Sequence, residues 1–174
     1  AYRLGGFSFS MNLQSNDFQI FGLPERFSLE RVELDARWKD LQRQAHPDRF
    51  ASADAASQRL AMQWSVRINE AYQRLKDPIK RAAYLCELRG APIEAENNTA
   101  MPSDFLMQQM QWREDLDEAE GAEALERMAD EVLQARRERI AALQAALDEQ
   151  GDAAAAARQV RALMFIERFA HDVE

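Results

Sequence analysis

The chain has 174 residues, 47% hydrophobic and 30% charged, with a formal net charge of −8. That is enough for one sizeable core or two small ones and too apolar for a disordered protein. No apolar run in the sequence approaches the length of a membrane-spanning helix. The lone cysteine, Cys86, excludes an internal disulfide and any CxxC site. His46 and His171 are too far apart for a paired zinc motif. No protein-held metal or cofactor is therefore expected, and a reducing cytoplasm is the natural compartment.

The charge is unevenly spread. Residues 1–90 carry 14 Lys+Arg against 11 Asp+Glu, and residues 91–174 carry 8 against 19. The asymmetry predicts two functional halves, and the acidic half speaks against a nucleic-acid partner, which would need a basic footprint. With six Gly and five Pro among abundant Ala, Leu, Glu, Arg and Gln, helix is favoured nearly everywhere. No stretch alternates at period two, so an all-α fold is expected.

Residues 1–10 precede Met11 and are set aside as an appended remnant or an alternative start. With one basic residue and no long apolar run they do not resemble a secretory signal. Phe18, Ile20, Phe21 and Leu23 predict a short packing helix that ends at Pro24. Ser28 is a candidate N-cap for the next helix, along which Leu34, Trp38, Leu41 and Ala45 form a core stripe. Arg31, Arg37, Lys39 and Arg43 lie off that stripe and make one side basic.

His46-Pro47-Asp48 follows. Pro47 fixes its own φ and drives His46 out of the α region, ending the helix near Ala45. A second long helix starts near Asp54, with Leu60, Trp64, Ile68, Ala71 and Leu75 at helical spacing. The two form an antiparallel hairpin whose polar, stiffened tip is either an ordinary turn or something presented to a partner. Asp77-Pro78 stops the second helix, and a shorter one runs to Leu88 before Gly90 and Pro92.

The run Ile68-Asn69-Glu70-Ala71-Tyr72, then Leu75, Asp77-Pro78, Lys80-Arg81 and Tyr84, resembles the closing signature of J-domains. With the His-Pro-Asp tip and the basic helix before it, the resemblance covers residues 17 to about 88. It implies a module that docks on DnaK-type chaperone ATPases and stimulates their ATP hydrolysis. Arg37, Arg43, His46, Pro47 and Asp48 are the implied chaperone contacts. Arg49 stands where the family more commonly has Lys and keeps the charge.

Residues 90–102 read as a polar linker. Ser103 is a candidate N-cap with Asp104 in the first turn of a helix that carries two apolar groups. Phe105, Trp112, Leu116 and Ala119 form one face, and Leu106, Met107 and Met110 lie opposite, beside Glu114 and Glu118. A long helix from about Ala122 to Asp148 buries Leu125, Met128, Val132, Leu143 and Leu147, and Gly151-Asp152 breaks it. In the last helix, to about His171, Val160, Leu163, Ile166, Ala170 and Val173 form the stripe and Phe165 points away. Three helices in sequence suggest a small antiparallel bundle. Phe165 and the Leu106, Met107 and Met110 group are left over, to meet a partner or to pack on the first domain.

Phe105-Leu106-Met107, Arg113-Glu114-Asp115-Leu116-Asp117-Glu118 and Arg81-Ala82-Ala83-Tyr84-Leu85 resemble one branch of the J-domain family, the HscB or Hsc-twenty type. That resemblance, over residues 17–172, implies a co-chaperone of iron–sulfur cluster biogenesis. Its bundle would bind a cluster scaffold (IscU-like) and deliver it to a specialised chaperone (HscA-like). The implied scaffold contacts are Leu106, Met107, Met110, Gln111, Arg113, Glu114, Glu118 and Phe165, with Gln111 standing where the family often has an acidic residue. The expected organisation is a J-domain at 11–89, a linker at 90–102 and a client-binding bundle at 103–174. An alternative is a J-protein for a different client. An enzyme is not expected, since Cys86 has only His46 and His171 to pair with and neither offers a nucleophile–base arrangement.

Overall fold

The computed structural model describes residues 12–174 and the backbone of two three-residue strands, β1 (Tyr2–Leu4) and β2 (Phe7–Phe9). The strands pair antiparallel with Tyr2 opposite Phe9, in the segment set aside above. The rest of the described chain is helical, and it divides into two compact units, Ala1–Arg81 and Ala82–Glu174.

In the first unit, α1 (Asp17–Phe21) starts at a reciprocal cap. The Asn16 side chain accepts the Gln19 N–H at 2.8 Å, and the Gln19 side chain accepts the Asn16 N–H at 2.9 Å. The helix stops at Gly22, whose φ of 64° is left-handed. The next helix, α2 (Arg31–Ala45), begins three residues after the expected cap Ser28. Its N-cap is Glu30, with no side-chain cap bond. The segment ahead of it is pinned instead, because Arg81 donates to the Phe27 carbonyl at 2.8 Å and lies over the Phe27 ring. α2 packs antiparallel on α3 (Ala55–Lys76), which Asp54 caps through the Ser57 N–H at 2.7 Å. Leu34, Ala45, Trp64, Ile68, Ala71 and Leu75 are buried between them and α1. Trp38, only half-buried, stacks on Tyr72 with ring centres 4.5 Å apart.

The boundary between the units falls inside α4 (Pro78–Leu88), so one helix serves both. In the second unit Ala82, Leu85 and Cys86 are fully buried. Residues 90–102, expected as a linker, are held there by Arg161. This guanidinium donates to the carbonyls of Ile93 at 3.1 Å, Ala100 at 3.0 Å and Pro92 at 3.4 Å. Three helices follow. α5 (Ser103–Glu118) takes Pro102, not Ser103, as its N-cap. α6 (Gly121–Gln144) runs into a π-turn at Ala145–Glu149, whose Leu147 carbonyl accepts from Arg89 at 2.8 Å. α7 (Ala153–Val173) is capped by Asp152. Apart from the β1–β2 pair, the described fold is thus all-α, as expected, a helical hairpin with short flanking helices followed by a three-helix bundle.

Candidate docking surfaces

The first surface is the tip between α2 and α3. His46 leaves the helix at φ −59°, ψ 128°, and Pro47–Phe50 forms a single 3₁₀ turn. The His46 Nδ1 accepts the Asp48 backbone N–H at 3.2 Å, so the imidazole caps the turn it precedes. Phe50 buries its ring under the tip, and Gln58 of α3 donates to the Ala51 and Ala53 carbonyls, each at 3.1 Å. Held from both sides, the turn leaves the Asp48 side chain 93% exposed. A carboxylate presented on an ordered turn has little conformational entropy to lose on pairing with a cation.

The basic side of α2 is less uniform than its sequence. Arg43 is exposed and, among the described residues, pairs with Asp40 at 3.5 Å. Arg37 is committed to the fold: it pairs with Glu33 at 2.8 Å and donates to the carbonyls of Phe21 at 2.9 Å and Gly22 at 3.2 Å. It therefore ties the end of α1 to α2. Arg31 joins a similar local set with Asp35 and Tyr72. The Tyr72 hydroxyl, then Arg31, hold the Asp35 carboxyl below the ordinary carboxylate range.

The second surface lies on α5. Its roll is set by an aromatic cluster: Trp112 stacks on Phe169 at 5.4 Å, and Phe105 meets Phe165 edge-on at 5.8 Å. Arg139 of α6 completes the clamp, lying over Phe105 and pairing with Asp104 at 2.9 Å. With that face fixed inward, Leu106, Met107 and Met110 stand outward at 47%, 75% and 67% exposure. Glu114 and Glu118 are exposed beside them, and Gln111 donates to Asp115 at 2.8 Å.

Phe165 corrects the wheel drawn from sequence. It is only 6% exposed, between Phe105 and Phe169, with the Arg113 guanidinium over its ring at 5.4 Å. Both α5 and α6 cover α7, so its buried face is much wider than one stripe and also takes in Ala157, Arg161, Ala162 and Phe169. The functional roles of Arg139 and Phe169, which orient α5, had no signal beyond being an ordinary charge and an ordinary apolar residue.

Cys86 is buried, and its burial pushes the thiol up to about 11. Among the described residues no three His, Cys, Asp or Glu side chains converge so as to hold a metal ion, and no helix is long and apolar enough to cross a membrane.

The chain is 50% identical to a co-chaperone protein HscB homolog of Burkholderia mallei, over 94% of each chain. It is 51% identical to another from Cupriavidus taiwanensis, over 92% of each. The chain belongs to the HscB co-chaperone family. Residues 101–174 match the HSCB C-terminal oligomerisation domain. Among solved structures it is similar to the chaperone HscB from Vibrio cholerae, with a TM-score of 0.76 and 37% identity over 91% of this chain and 95% of that one. Human co-chaperone HscB aligns with a TM-score of 0.83 and 25% identity, over 94% of this chain and 82% of that one. In HscB terms, the tip belongs to the J-domain, and the exposed face of α5 belongs to the C-terminal domain that the family match covers.

Proposed function

We propose that this HscB-type co-chaperone stimulates ATP hydrolysis by a specialised DnaK-type chaperone (HscA-like) and brings to it a cluster scaffold protein (IscU-like), aiding the maturation of iron–sulfur proteins. The observation that supports this most directly is the pairing, on one chain, of an ordered His-Pro-Asp tip with an outward apolar face on a second unit. On this reading Asp48 pairs with an arginine of the ATPase through a charge-assisted hydrogen bond, with His46 and Pro47 ordering the turn that carries it. Arg43 contributes to the basic field that steers the encounter, while Arg37 acts mainly by fixing α2. The co-chaperone does no chemistry of its own. It favours the hydrolysis-competent arrangement of the ATPase by binding that arrangement better.

On the other unit Leu106, Met107 and Met110 are the apolar anchors for the scaffold, with Arg113, Glu114 and Glu118 as polar contacts and Phe165 as the floor beneath Arg113. On this reading the partnership is cytoplasmic. The first test is His46→Gln: stimulation of the cognate ATPase should be lost while the melting temperature and scaffold affinity stay at wild-type values. Undiminished stimulation would overturn the chaperone half. Scaffold affinity untouched by Leu106→Ala, Met107→Ala and Met110→Ala combined would point to a J-protein with a different client.

A further inference from the structure

Beyond the apolar anchors, the edge of α5 continues into a cleft of about 510 Å³ between α5 and α7. Leu106, Met110, Arg113 and Asp117 recur at i, i+4, i+7 and i+11, so one edge of α5 passes from apolar to charged along its length. Opposite, Phe165, Arg168, Phe169 and Asp172 share one face of α7. Phe165 and Phe169 are buried and stacked 5.9 Å apart, giving the cleft a fixed aromatic floor. Its walls carry two guanidiniums and two carboxylates, yet among the described residues Arg168, Asp117 and Asp172 make no ion pair or side-chain hydrogen bond. Arg139 and Arg161 are occupied, the first by Asp104 and the second by three carbonyls. Uncommitted charges of both signs beside an apolar face suit a partner offering the opposite pair, because complementary charges across an interface fix register and partner choice.

We propose that this cleft is the polar end of the client surface: Arg168 receives a carboxylate of the client, and Asp172 and Asp117 receive one of its basic groups. The proposal rests on the scaffold-binding reading above and adds the α7 side of the seam to it. Specificity would then be divided. The Leu and Met anchors supply apolar contact, and the cleft rejects clients whose charges are missing or reversed.

The test is calorimetric titration of the full-length protein with a purified iron–sulfur cluster scaffold, using wild type, Arg168→Glu, Arg168→Gln and the Leu106, Met107, Met110 triple alanine variant. Arg168→Glu should weaken binding about tenfold at low salt and less at high salt, and Arg168→Gln about threefold, both melting as wild type does. If both Arg168 variants bind like wild type while the triple variant loses affinity, the cleft proposal is wrong and the anchor reading stands. If the triple variant also binds like wild type, the scaffold reading itself fails and takes the cleft with it.

Discussion

Asp17 has no exposed surface, yet it is the first residue of a helix that carries a buried charge into the core. Arg67 meets one carboxylate oxygen at 2.9 Å and Arg74 the other at 3.1 Å, and Arg67 also donates to the carbonyls of Leu13 at 3.0 Å and Ser15 at 2.8 Å. Removing the buried carboxylate takes the charge partner from Arg67 and leaves a small void at the start of α1, at a cost of about 1–3 kcal/mol. Asp17→Ala should therefore shift the urea midpoint strongly downward. A second pair of substitutions separates anchor from core on the client side. Phe165→Ala empties an enclosed aromatic site and should cost about 3 kcal/mol of stability, whereas Met107→Ala, at an exposed position, should stay within about 0.5 kcal/mol. Any binding loss in Phe165→Ala must be read against that melt, while loss in Met107→Ala can be read directly. Gly22 is required by its neighbours: its φ is left-handed, and an added Cβ would stand 3.0 Å from the Arg37 Nη1.

At the scale of elements, α5 is held by its first turn as much as by its aromatic face. Arg139 holds the Asp104 carboxyl below the ordinary aspartate range. A depressed folded-state pKa means the contribution is present above the unfolded value and lost as pH falls through the folded one. The melting temperature of Asp104→Asn should thus lie below wild type at neutral pH, and the gap should close as the pH drops through the aspartate range. An unchanging gap would mean that the carboxylate is not the source. The helices themselves were legible from sequence because their burial stripes are local: Leu34 to Ala45 and Trp64 to Leu75 repeat at spacings that only a helix puts on one side. The tip was legible because Pro47 acts on its immediate neighbours. What the sequence did not disclose depends on residues distant along the chain. Phe165 is covered because Phe105 arrives from sixty residues earlier, Arg161 captures carbonyls nearly seventy positions away, and Arg37 looks like one more surface charge until α1 ends beside it. Leu106, Met107 and Met110 could be read from the wheel because they need only the opposite face of their own helix to be taken.

For the whole molecule, the shared helix α4 decides where the chain can be cut. Cys86 Sγ lies 3.8 Å from the Ala153 carbonyl, and Arg89 holds Leu147, so the C-terminal half of α4 is part of the second unit's core. A fragment of residues 91–174 should melt well below one of residues 76–174 in circular dichroism, even though both contain all three bundle helices. Equal melts would show that α4 contributes nothing to that unit. If the two ends bind a chaperone and a client as proposed, joining them in one chain would raise the effective concentration of each partner near the other.

Cys86 has a consequence for the cargo that this co-chaperone is proposed to escort. Thiolates are strong ligands for cluster iron, and a stray one could strip metal from the carrier that holds it. The chain's only sulfhydryl is enclosed, protonated at physiological pH, and tied into the wall of its unit. It offers iron no competing berth while α4 stays in place. On the proposed reading, a client carrying a cluster would meet no exposed thiol on this chain.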